Sequence, residues 1–147
     1  MLKIKLVSFL FVLCILTSTV LHASNIHKAA FSNKSSEIEI LIKKGANPNA
    51  INSDGMWPLL IACTYGHLDA VNSLIANGAN VNQSNTSAYT ALHEASNLGY
   101  HKIVDALIKA GADIHKRDIS QFNALNYAQM SDSRKVIRIL KRHGAKE

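Results

Sequence analysis

Cysteine is nearly missing from this chain. There are only Cys14 and Cys63 in 147 residues. Cys14 lies within an N-terminal segment read below as removable, so Cys63 alone would remain. An intramolecular disulfide is then excluded, and the fold must hold by packing. Aromatic residues make up only 6% of the chain, which makes the core aliphatic. Catalytic signatures are missing as well. The sequence contains no glycine-rich phosphate loop, no G-x-S-x-G, no H-E-x-x-H and no C-x-x-C. With 48% hydrophobic and 18% charged residues, the composition is that of a folded globular chain and not of a disordered one.

Long apolar runs are absent too, with one exception. After MLKIK, with Lys3 and Lys5, comes an uncharged stretch from Leu6 to Leu21, followed by His22, Ala23 and Ser24. A positive start, an apolar middle and a small residue at the exit read as a secretory signal peptide over residues 1–23, cut after Ala23. An uncleaved membrane anchor is the alternative, which the length disfavours: the run is about 16 residues, short of the roughly 20 that a membrane-spanning helix needs. Residues 24–147 are therefore expected to be exported, to a periplasm or a secreted location. Loss of Lys3 and Lys5 lowers the net charge from +6 to about +4, which is mildly basic and no more.

What the remainder does have is a period. The pairs Gly45-Ala46, Gly78-Ala79, Gly111-Ala112 and Gly144-Ala145 recur every 33 residues. Four apolar columns keep the same step: Ile26, Leu59, Leu92 and Leu125; Ala29, Ala62, Ala95 and Ala128; Ile38, Val71, Val104 and Ile137; Leu41, Leu74, Leu107 and Leu140. Within one copy, Pro58 suits a first helical position, and Leu59 and Ala62 are spaced for a helical face. Gly66 ends that helix. Val71, Leu74 and Ile75 form the stripe of a second helix, and Gly78 ends it. An Asn- and Ser-rich loop follows. Neither helix buries its stripe alone, but stacked copies do. Ala88 and Gln121 stand where Gly55 occupies the earlier loop, so those two loops are expected to differ in shape.

The segment TALHEASNLGYHKIVDALIKAGADIH, Thr90 to His115, resembles the ankyrin repeat. The resemblance implies an all-α solenoid of paired antiparallel helices with projecting hairpin-like loops. It covers essentially 24–147, divided into an N-terminal cap at 24–50, repeats at 51–83 and 84–116, and a C-terminal cap at 117–147. Copies two, three and four depart from the T-P-L-H opening, with Trp57-Pro58-Leu59-Leu60, Ala91 for proline, and Asn123-Ala124-Leu125-Asn126. The resemblance also implies that Thr90 caps its helix and that His93 hydrogen-bonds within the repeat.

By position, such stacks bind partners through a concave strip that here holds Met56, Tyr65, Tyr89, Asn97, Leu98, Phe122 and Met130. Loop tips at Ser53, Asp54, Thr86, Ser87, Ile119 and Ser120 adjoin it. Aromatic and methionine side chains in such a strip suit an interface. Trp57 is expected to pack on the adjoining repeat with an edge free for a partner. The expected function is non-enzymatic. A monomeric stack holds, masks or scaffolds another protein, with no cofactor, no metal and no nucleic acid. The scattered histidines supply no converging ligand set, and Cys63 reads as a buried inert thiol. Membrane association is not expected once the leader is removed. The alternative is peripheral membrane-surface binding through Arg134, Arg138 and Arg142 of the basic C-terminal helix. Cations that suit a helix C-terminus are the simpler account of that run.

Overall fold

The computed structural model describes residues 26–146; the reading of residues 1–23 as a signal peptide lies outside them. Among the described residues there are eight helices and no strand. They are α1 (26–31 as described), α2 (Ser35–Lys43), α3 (Pro58–Thr64), α4 (Leu68–Ala76), α5 (Ala91–Asn97), α6 (His101–Lys109), α7 (Ala124–Met130) and α8 (Arg134–Arg142). Within a copy, α3 packs on α4, α5 on α6 and α7 on α8. Between copies, like packs on like: α3 on α5 and α5 on α7 in one layer, α2 on α4, α4 on α6 and α6 on α8 in the other.

The recurrent Gly-Ala pair has a specific job at the end of each second helix. Gly78 enters the left-handed region at φ +87°. Its N–H then donates to the Ile75 carbonyl and the N–H of Ala79 to the Leu74 carbonyl, at 3.2 and 2.9 Å. This paired closure satisfies carbonyls that a helix end otherwise leaves open, and it tucks the following alanine against the last turn. The same two bonds close α2, α6 and α8 at Gly45-Ala46, Gly111-Ala112 and Gly144-Ala145. All four alanines are buried. The pair recurs because the same closure is needed once per copy.

The apolar columns meet in one continuous interior. Ile26, Leu59, Leu92 and Leu125 are buried, as are the four alanines from Ala29 to Ala128 and the leucines Leu74, Leu107 and Leu140. Each such leucine or isoleucine contributes on the order of 1.5–3 kcal/mol through removal from water. Ile137 is the exception in its column: it is half-buried where Ile38, Val71 and Val104 are buried.

The helix starts differ in chemistry but not in outcome. Thr90 and His93 form a reciprocal cap, in which the Thr90 hydroxyl accepts from His93 N–H and the His93 imidazole accepts from Thr90 N–H. Asn123 and Asn126 rebuild that cap in the last copy with two amide side chains. In copy two Trp57 takes the capping position with no side-chain cap bond, and Pro58 supplies the start instead. Trp57 is 1% exposed, which removes the partner-facing edge expected of it, and its buried Nε1–H has no hydrogen-bond partner within the described structure.

The expectation that the later loops differ in shape is overturned. Ala88 and Gln121 adopt φ +59° and +65°, beside +75° at Gly55. The reason is a column not read in the sequence: Asn52, Asn85 and Asp118. In each loop the Oδ1 of that residue accepts two backbone N–H groups, from Asp54 and Met56, from Ser87 and Tyr89, and from Ser120 and Phe122. Its carbonyl accepts from Gly55, Ala88 or Gln121. Three bonds to one residue, two to its side chain and one to its carbonyl, hold the turn whatever residue sits in the left-handed position.

Candidate functional site

The helix layers expose different chemistry. Phe31, Tyr65, Leu98, Phe122 and Met130 are 50, 50, 41, 40 and 68% exposed, and all lie on the first helices of their copies or the residues flanking them. Ile51 and Ile119 are exposed on the loops, whereas Ile40 is the sole large apolar side chain so exposed on a described second helix. The exposed positions of α4, α6 and α8 are instead polar or charged, apart from Ala76. The apolar surface is thus concentrated on the first-helix and loop side of the stack.

That side resolves into two parts. A cavity of about 520 Å³ lies elsewhere, between α4 and α6 on the second-helix side. The relevant hollow is smaller, about 310 Å³, and is lined by His27, Lys28, Phe31, Asn52, Asp54, Met56, Ile61 and Tyr65. Phe31 and Tyr65 meet edge to face across neighbouring copies, with ring centroids 4.6 Å apart. Met56 is half-buried against the core at the floor. The second part lies between copies three and four. Tyr89 stacks on His93 at 5.3 Å, and the Tyr127 ring stands nearly perpendicular to those of Tyr89, His93 and Phe122.

Two carboxylates tie this second cluster down. The Tyr89 hydroxyl donates to Glu94 at 2.8 Å, and that of Tyr127 to Asp118 at 2.6 Å. Burial, together with these bonds to carboxylates, pushes the phenols up, Tyr127 to about 12. Burial works against ionised Asp118, but the bonds from Tyr127, Phe122 and Ser120 outweigh it, with help from nearby His93, and hold its carboxyl below the usual range. Burial lowers His93, against the opposing pull of the Lys116 carbonyl, to which its Nε2 donates at 3.0 Å.

The strip read from the sequence is therefore not uniform. Tyr65, Leu98, Phe122 and Met130 are open to solvent, as is Asn97. Met56 belongs to the hollow with Tyr65, while Tyr89 joins Phe122 through Tyr127. Tyr89 is half-buried and bonded within the stack, so part of its role is internal. Sequence reasoning missed Phe31, Ile61, Glu94 and Tyr127. The period could have supplied them, since Phe31 is in step with Asn97 and Met130, and Ile61 with Glu94 and Tyr127.

Other reactive groups are occupied. The His67 imidazole donates to the Phe31 carbonyl and that of His27 to the Ala50 carbonyl, both at 2.8 Å. Cys63 is fully buried, and burial pushes its thiol well up. Among the described residues no group of three His, Cys, Asp or Glu is placed to hold a metal ion, and no helix is long and apolar enough to cross a membrane. No curated protein matches the chain. The family model described as ankyrin repeats, in three copies, matches residues 26–118, more than half of the chain, and with the stacked helix pairs it establishes that this chain belongs to the ankyrin-repeat family.

Proposed function

We propose that this protein holds or masks another protein through its first-helix and loop side, after export. Ankyrin repeats are in general protein–protein interaction modules and typically non-catalytic scaffolds. The observation that carries the finer reading is the concentration of exposed Phe31, Tyr65, Leu98, Phe122 and Met130 on that side. Exposed aromatic and methionine side chains give large contact area at low ordering entropy. The Phe31–Tyr65 pair borders a hollow into which a partner side chain fits.

The test uses Tyr65→Ser with Leu98→Ser, since neither side chain closes the core. Affinity capture from the compartment where the chain resides, with quantitative mass spectrometry, should lose its principal partner by tenfold or more while the circular dichroism spectrum is unchanged. Retention of every captured protein by the double variant would reject this surface. Export is tested separately, by whether the protein recovered from cells begins at Ser24; an intact Met1 terminus in the cytoplasm would reject it.

A further inference from the structure

The charge of this molecule is not spread evenly. Residues 26–133 carry eight Lys and Arg against nine Asp and Glu, a balance of −1, whereas residues 134–147 carry six Lys and Arg against one acid, Glu147. The helix α8 places Arg134, Lys135, Arg138, Lys141 and Arg142 in solvent, while Val136 and Leu140 are buried. At 100° per residue the five cations fall within about 120° of the helix circumference, on the side opposite the buried pair. Half-buried Ile137 and Ile139 border that face. Cations that favour the end of a helix explain Lys141 and Arg142. They do not explain Arg134 and Lys135, which sit in the first turn, where the helix dipole opposes positive charge. In the same place α2 carries Glu37 and α4 carries Asp69. Two acids stand near the face without balancing it: Asp105 on α6 is paired with Lys109 at 2.7 Å and also feels Arg142, and Asp132 lies 3.8 Å from Arg134, against five cations.

From this we infer that α8 is a docking face for an anionic lipid surface, separate from the side that carries the exposed apolar residues. The face is a single straight helix at the end of the stack, about 13 Å long, and it offers cations to many headgroups at once. It offers no aromatic ring on which a nucleic-acid base would stack. Because Val136 and Leu140 are held in the stack, the helix attaches by charge and does not insert.

The experiment compares full-length wild type with Arg134→Gln/Arg138→Gln/Arg142→Gln and with Lys34→Gln/Lys43→Gln/Lys44→Gln, an equal charge change at the other end. Sedimentation with phosphatidylcholine vesicles measures what the N-terminal apolar segment contributes, and vesicles with 30% phosphatidylglycerol at about 50 mM salt measure the anionic part. Each cation removed from the face should lower the anionic part about fivefold, so the arginine variant loses about 100-fold. The lysine variant should keep most of it, and about 500 mM salt should abolish it in wild type. The proposal is overturned by equal binding to neutral and anionic vesicles, by equal losses in both variants, or by tighter binding to duplex DNA or polyuridylate than to the anionic vesicles at the same salt.

Discussion

Exchanging residues among the three loop positions Gly55, Ala88 and Gln121 isolates backbone strain from every other term. All three sit in the left-handed region, at φ +75°, +59° and +65°, inside the same three-bond turn. A side chain in that region costs about 1–2 kcal/mol. Glycine relieves this but gives the unfolded chain more freedom, which takes back about 0.4–1 kcal/mol. Ala88→Gly and Gln121→Gly should therefore each stabilise by about 0.5–1 kcal/mol, the difference of those two effects. Gly55→Ala should destabilise by a similar amount, and steric clash cannot inflate it, because a Cβ there meets nothing within 4 Å. Urea unfolding followed by circular dichroism reads all three as midpoint shifts at constant slope, and the melting temperature moves by about 3–5 °C per kcal/mol for a domain of this size. The two glycine substitutions act in adjacent loops joined by the bond from Ile119 N–H to the Ser87 carbonyl, so the double variant need not be additive. If Ala88→Gly destabilises, or if Gly55→Ala is neutral, the left-handed strain is not what these loops carry.

Other perturbations have equally definite outcomes. Leu107→Ala empties a fully buried position between three helices and should cost about 2–5 kcal/mol, read by the same urea titration; a loss below 1 kcal/mol would mean the interior had collapsed around it. Stability should fall on acidification in two stages. His93 is depressed below the unfolded value near 6.5, so its contribution is whole above that pH and is lost as pH drops toward its folded value. Asp118 is likewise depressed, so its contribution is whole above about pH 4 and is lost only as pH falls further. His93→Asn, which copies Asn126, should remove the first stage and leave the second; persistence of both stages in that variant refutes the assignment. In a Cys14→Ser chain, a thiol reagent should label Cys63 only at the rate of unfolding, and prompt labelling in native buffer would contradict its complete burial.

Much of this fold could be read because its period is written in residues that do one job each. Gly78 and Ala79 close a helix, Leu74 fills a layer, and both reappear 33 residues later. What escaped reading was chemistry shared between unlike residues. Asn52, Asn85 and Asp118 hold the same turn, yet the column mixes an acid with two amides, and the glycine that marks the turn at Gly55 is missing from the other two loops. Trp57 reads as packed on the adjoining repeat with an edge left free; only packing shows that it is wholly enclosed and takes the place of a capping threonine inside the stack. The site was legible as a face, from position alone. Its division was not, since whether Tyr89 is free or bonded to Glu94 depends on how the loop ahead of α5 sets Tyr89 against the first turn of that helix.

Among the described residues, side-chain bonds join each copy to the next: Asn33 to Ala70, Asn49 to Asn80, Asn82 to Asp113. A chain linked in this manner has no keystone. Amide protons of α5 and α6, flanked by a copy on either hand, should be the slowest to exchange, and those of α8 should go early. Loosening would then travel inward from the ends, and a partner that spans several copies would act as a splint against it.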